Sequence, residues 1–327
     1  MTNIAGSEGR VENSENARKG RVWRRWGLFV LIGLALYLGL YAGSEFLVYA
    51  YGQKNRFFVI RTAPPQQYDF VILGASHAMP LDFEDMNERL EAASGSKIIN
   101  LSSEGAGISP NQLLLEYFLT RHSAVRVIFF LDSFAFYSPQ WNEDRLDATM
   151  LRRAPLDPAL AMTLWRHPWA RDILPAYLSG FAKINNEDRF APDIPDSEMT
   201  KFNRTYRPIA QIDRKRVRFL YPPESDPAIF QHYLAAFDSL IRFVQERGME
   251  MIVVKPPTPP RYRKNLPNEA AFDEAVGALM ARPGVAYHDL SEAVTEDPFF
   301  YDTDHLNRDG VVTFIDQHFA ELLRAHL

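Results

Sequence analysis

Residues 27–44 (GLFVLIGLALYLGLYAGS) carry no charged side chain, and after Glu45 the apolar character resumes in FLVYAY. A helix needs roughly 20 apolar residues to cross a hydrocarbon layer, so this pattern predicts a membrane-spanning helix over residues 26–49. Its residues are apolar all round rather than on one face, and Trp23 and Trp26 stand at one end like an interfacial belt, which argues against a buried soluble helix. A cleaved leader has a shorter apolar core, usually about 7–15 residues, so an uncleaved anchor is expected. Residues 1–17 are polar and weakly acidic and read as a short disordered tail.

Beyond the anchor the pattern changes to short apolar runs separated by amphipathic stretches. Residues 68–73 (YDFVIL), 97–101 (KIINL), 125–131 (VRVIFFL), 251–254 (MIVV) and 285–288 (VAYH) read as buried strands. Helical spacing falls over residues 109–121, 226–247, 268–280 and 307–325, with Pro110 suited to a first turn. Strand and helix in alternation predict an α/β fold, a parallel sheet sandwiched by helices. Residues 138–223 break the rhythm and read as a mostly helical insertion. Its Trp141, Trp165 and Trp169 either line a substrate groove or fill the insertion's own small core.

Composition and charge narrow the picture. In 327 residues, 46% are apolar, with 23 Phe and 14 Tyr, enough for a sizeable core. Arg18, Lys19, Arg21, Arg24 and Arg25 precede the span, against Lys54, Arg56 and Arg61 after it. The positive-inside bias keeps the N-terminus cytoplasmic and the main domain outside, as in a single-pass protein of a bacterial inner membrane with a periplasmic domain. A net charge of −5 gives no general attraction to nucleic acid. The absence of cysteine excludes disulfides, thiolate–metal sites and a cysteine nucleophile.

Three segments carry candidate chemistry. Gly74-Ala75-Ser76-His77 follows the first strand, so Ser76 falls at the carboxyl edge of the sheet, where open α/β folds build their sites; a helix cap is the plainer use of such a serine. Tyr301-Asp302-Thr303-Asp304-His305 precedes the last helix. A serine nucleophile needs a base, and the base needs an acceptor on its second ring nitrogen; Asp302, three residues before His305, can supply one. The same Asp-x-Asp-His cluster also suits a divalent metal, and Asp304 or Asn307 suits a helix cap. Residues 100–107 (NLSSEGAG) place Gly105 and Gly107 where backbone N–H groups can approach a reacting oxygen.

Together these segments resemble the SGNH hydrolase superfamily: Gly-x-Ser after the first strand, a glycine turn after the second, and Asp-x-x-His before the final helix. The likeness covers residues 68–122 and 289–327. With its anchor, the chain is similar to the acyltransferase-like branch, which includes the D-alanyl transfer protein of teichoic-acid modification and the alginate O-acetylation proteins; Ser138-Pro139-Gln140-Trp141 is similar to the former. The resemblance implies a flavodoxin-like sheet and a Ser76, Asp302, His305 triad without cofactor. It also implies acetyl or another acyl group moved on a polysaccharide or glycan acceptor, beside a membrane-bound acyl donor. One block departs. Leu131-Asp132-Ser133 stands where the family supplies an oxyanion-binding Asn, so Ser133 or Asn142 is expected to substitute, with the N–H groups of Ser76 and Gly105. The departure leaves open a non-catalytic envelope-assembly or glycan-binding protein that keeps only the fold.

Overall fold

The computed structural model describes residues 5–52, 54–191 and 201–327, with side chains from Arg18 on. Helix α1 (Ala5–Tyr51) contains the expected span, and Arg18–Tyr51 is long and apolar enough to cross a membrane. The helix reaches back to Ala5, into the stretch expected as a disordered tail. Once the span has formed its first turns, each added residue bears only the small cost of propagation, not that of nucleation.

In chain order there follow α2 (Arg56–Thr62), β1 (Gln67–Leu73), α3 (Met86–Ser94), β2 (Ile98–Asn100), α4 (Ile108–Phe118) and β3 (Ser123–Phe130). The insertion holds α5 (Pro158–Arg166), α6 (Leu174–Leu178), α7 (Phe181–Ile184) and α8 (Ala210–Leu220), and no strand among the described residues. Then come α9 (Pro227–Gln245), β4 (Glu250–Lys255), α10 (Pro260–Arg263), α11 (Glu269–Met280), β5 (Val285–Asp289), α12 (Arg308–Phe314) and α13 (Ala320–Ala325), the last two joined by a π-helical turn.

All five strands are parallel, in the order β2-β1-β3-β4-β5. Alternate side chains go to opposite faces. Phe70 and Ile72 of β1 join Ile128, Ile252, Phe314 and Phe319 in one apolar layer, and Val71 and Leu73 join Val127, Leu114, Phe237 and Val244 in the other. Both faces are therefore covered, as a parallel sheet requires. Strand order reverses between β1 and β3, which opens a crevice at their carboxyl ends.

The insertion is not a separate core. Leu160, Leu164 and Tyr177 are buried in the layer that covers the sheet. Trp141 is buried against Phe134 and Phe219 and donates its indole N–H to Leu220 O at 2.8 Å. Trp169 packs partly on the same layer, while Trp165 is exposed under the Arg171 guanidinium. The three tryptophans thus neither share a groove nor fill a private core. Glu45, the charge that interrupts the apolar run, is paired with buried Lys183 of the insertion and accepts the Leu156 N–H.

Candidate active site

Gly74 ends β1 at φ +146, and a Cβ there would lie 2.8 Å from Phe130 Cβ. Only glycine fits so close to β3. Its N–H donates to Asn111 Oδ1 of α4 at 3.0 Å, and the Asn111 amide donates in turn to Ala106 O and Gly107 O. Asn100 ties the next layer, donating to Ala78 O and accepting from Ser102 N–H and Oγ–H. The turn carrying Ser76 is thereby fixed to the loop after β2 by two buried amides.

At the far end of the chain, Phe300 and Leu306 form an antiparallel bridge and Tyr301 N–H donates to His305 O at 3.0 Å. Inside this tight loop Asp302 Oδ1 accepts the N–H groups of Asp304 (3.1 Å) and His305 (2.9 Å). Both carboxylate oxygens lie 3.0 Å from His305 Nδ1. His305 Nε2 lies 2.8 Å from Ser76 Oγ, across 229 positions of sequence. With the Nδ1 proton donated to Asp302, Nε2 presents its lone pair to the serine hydroxyl, the arrangement that a nucleophile–base pair requires. His305 is fully buried, Ser76 is 3% exposed, and the Asp302 side chain is 31% exposed.

A second ionic layer lies behind the triad. The His77 ring stacks on His305 with centroids 4.8 Å apart. Its Nδ1 is 2.6 Å from Asp132 Oδ1 and its Nε2 is 3.4 Å from Asp304 Oδ2. Asp304, fully buried, also accepts from Arg216 Nε at 3.1 Å and from the Thr303 hydroxyl. Arg261 of α10 braces the loop, donating to Thr303 O and to Asp213 of α8. Burial alone would push the His77 imidazole toward neutrality, but the Asp132 and Asp304 carboxylates overcome it and raise its pKa to about 10. Burial likewise opposes ionisation of Asp302 and Asp304. His305, and for Asp304 first of all Arg216, hold both below the usual carboxylate range.

The four expected oxyanion or substrate residues fare differently. Gly105 adopts φ +62 with a Cβ position 2.9 Å from the Trp141 ring, so glycine is needed there; its N–H and that of Ser76 make no hydrogen bond among the described residues. Gly107 is corrected: its N–H is spent on Trp141 O at 2.6 Å. Asn142 is corrected too. Its Oδ1 accepts from Ile108 and Ser109 N–H at the start of α4, and its Nδ2 donates to Ala135 O and Ser138 O. Ser133 donates its single hydroxyl proton to Glu269 and accepts from Tyr221, leaving no donor for a reacting oxygen.

His77, Asp304 and His305 bring ligand-type atoms within 4.8 Å of one another. A cation there would compete with bonds already made, since His305 uses Nδ1 on Asp302 and Nε2 on Ser76. Beside the site, Lys54, Arg56, Asp82, Ser103, Glu104 and Arg145 line a cleft of about 190 Å³. Arg56, five residues past the end of α1, donates to Ser102 O at 2.7 Å and to Asp82.

No family model matches the chain, and no curated protein matches it. Among solved structures, a protein from Streptococcus pneumonia that is named for platelet activating factor is similar at 12% identity and a TM-score of 0.41, over 89% of this chain and 98% of that one.

Proposed function

We propose that the chain is a membrane-anchored serine acyltransferase or esterase of SGNH type, acting on O-acyl groups, acetyl first among them, of a cell-envelope or exported polysaccharide. The observation that carries this reading is the continuous Ser76–His305–Asp302 hydrogen-bond chain at the crevice where strand order reverses. Ser76 Oγ attacks the acyl carbonyl while its proton passes to His305 Nε2. The developing oxyanion is held by the N–H groups of Ser76 and Gly105. Collapse expels the alcohol, which takes the proton back from Nε2, and leaves acyl-Ser76. A sugar hydroxyl, or water, then gives its proton to His305, attacks the acyl-serine and restores the hydroxyl.

The setting supports a polymer-modifying role in the periplasm of a bacterial cell. Arg56 ties the chain just beyond α1 to the loop after β2, so the carboxyl edge of the sheet lies close to the end of the anchor. An anchor confines the site beside a membrane-bound acyl donor and raises the effective concentration of both.

A second reading has its own support: neither Ser133 nor Asn142 has a donor to spare for an oxyanion, and loss of one such donor typically costs about a hundred- to a thousand-fold in rate. On that reading the domain binds an envelope glycan without turning it over. The full-length chain in detergent, treated with a fluorophosphonate probe, separates the two. Labelling that disappears in Ser76→Ala supports acyl transfer, and mass spectrometry of envelope glycans from a strain lacking the protein then names the group moved. An unlabelled wild-type chain that retains glycan and releases no acetate from p-nitrophenyl acetate supports the binding protein instead.

A further inference from the structure

The uncovered part of α1 is too short for the layer it crosses. Arg24 and Arg25 set the near boundary, and every residue from Trp26 to Leu40 is exposed. At about 1.5 Å per residue those fifteen positions measure about 22 Å, against the roughly 30 Å of a hydrocarbon core. The missing length must come from residues 41–45, where Tyr41, Ser44 and Glu45 lie against the domain on one side of α1 while Ala42 and Gly43 stay exposed. The roughly 20 residues that span such a layer, counted from Trp26, end at Glu45.

What covers that part is the α6–α7 corner of the insertion. Tyr37 donates its hydroxyl proton to Ser179 O at 2.8 Å, and the Tyr41 ring fills the space where a Cβ of Gly180 would stand. Tyr37 lies eight residues before Glu45, about 12 Å along the helix. The corner therefore reaches deep along the span. Its backbone is suited to lipid, where irregular chain survives only if its polar groups are satisfied within the protein. Ser179 and Gly180 N–H donate to Pro175 O and Tyr177 O, and Ser179 O takes the Tyr37 hydroxyl. Its largest outward side chains are apolar, Leu178 being 46% and Phe181 60% exposed, and the exposed polar ones, Ser179 and Asn185, donate to Ala176 O and Phe181 O within the corner. At the Glu45 level Phe46 is exposed, and Tyr49, half exposed, packs edge-on with Phe58 of α2, aromatic residues of the kind a membrane interface holds.

We propose that the α6–α7 corner is seated in the acyl-chain region of the membrane that α1 crosses, so that the domain has a second, monotopic attachment that fixes its orientation to the bilayer. This rests on α1 spanning the membrane, and the test separates the two. The chain has no cysteine, so single cysteines can be placed in the full-length protein at Leu36, Leu178, Phe181 and, as a remote control, Glu292, whose side chain is 80% exposed. Each is labelled with an environment-sensitive fluorophore and reconstituted in phosphatidylcholine–phosphatidylglycerol vesicles containing doxyl-labelled acyl chains. The expected result is quenching of the labels at 178 and 181 within about twofold of that at 36, with the label at 292 unquenched. Quenching at 36 but not at 178 or 181 overturns the seated corner and leaves the span standing. No quenching at 36 removes the span, and the proposal with it.

Discussion

Around His305 the charges are arranged so that taking a proton balances them. With His305 neutral, the His77 and Arg216 cations face the Asp132, Asp302 and Asp304 carboxylates, an excess of one negative charge. When Nε2 receives the Ser76 proton, that excess is cancelled, which strengthens the base within a buried site. His77→Gln makes the excess two, so the pH below which fluorophosphonate labelling falls off should rise, by about one pH unit. Asp304→Asn should lower it by a similar amount, and a His77→Asn/Asp132→Asn pair, which removes one charge of each sign, should leave it near the wild-type value. Labelling rates from pH 5 to 9 measure all three; equal displacement by every variant would defeat this account. The same imidazolium sets a stability window. The His77 pKa is raised in the fold, from 6.5 to about 10, so its contribution is full below about pH 6.5 and is lost as pH rises toward 10. Denaturant midpoints of the wild type should decline across that interval, and the decline should flatten in the double variant. Ser76, Asp302 and His305 were legible as a motif because each local spacing fits one turn. Arg216 was not, because it lies in a basic run, Arg214 to Arg218, where nothing in the pattern singles out one position.

The starting turn of α4 is held by a residue from another element. Gly107 has no side chain to cap the helix, and buried Asn142 does so from the turn after β3, accepting from Ile108 and Ser109 N–H. Asn142→Ala leaves the Ile108 and Ser109 N–H groups and Ala135 O without that partner, while Ser138 O keeps the Trp141 N–H, at about 1–3 kcal/mol for each buried group left unsatisfied, tempered by local rearrangement. A loss of about 2–4 kcal/mol in unfolding free energy is expected, with the acid limb of labelling unmoved. An oxyanion donor would behave in the opposite way, costing rate at unchanged stability. β1 to β4 could be read from apolar runs because their centres are buried on both faces, whereas β5, at the sheet edge, is only partly buried and was legible from its place in the strand–helix alternation. The insertion was legible only as mostly helical: its short helices pack on one another, on the sheet layer and on α1 together, and the place of Trp141 depends on Phe219 and on Leu220, 79 positions on, which no local pattern records.

For the molecule as a whole, α1 and the domain are one packed object. Val48 is buried, Gly52 lies where a Cβ would touch Val48 O and Arg153 O, and the Lys183 ammonium, 1% exposed, has the Glu45 carboxylate as its ion-pair partner. Hydropathy marks the long apolar helix but cannot reveal this, because Glu45 reads in sequence as a lone flaw in an apolar run and its partner lies 138 positions away. The consequence can be measured with a double-mutant cycle in the full-length chain. Glu45→Leu alone strands a buried ammonium and Lys183→Met alone strands a carboxylate; breaking such a pair from one side typically costs about 3–5 kcal/mol. Replacing both at once leaves two apolar side chains of similar reach, and the result should return to within about 1 kcal/mol of wild type. Midpoints of unfolding in detergent give the cycle, and protease sensitivity of the α6–α7 corner gives a local readout: each single variant should be cut faster there and the double should not. If the two single losses simply add in the double, Glu45 and Lys183 act independently and their ion pair does not hold the domain to α1.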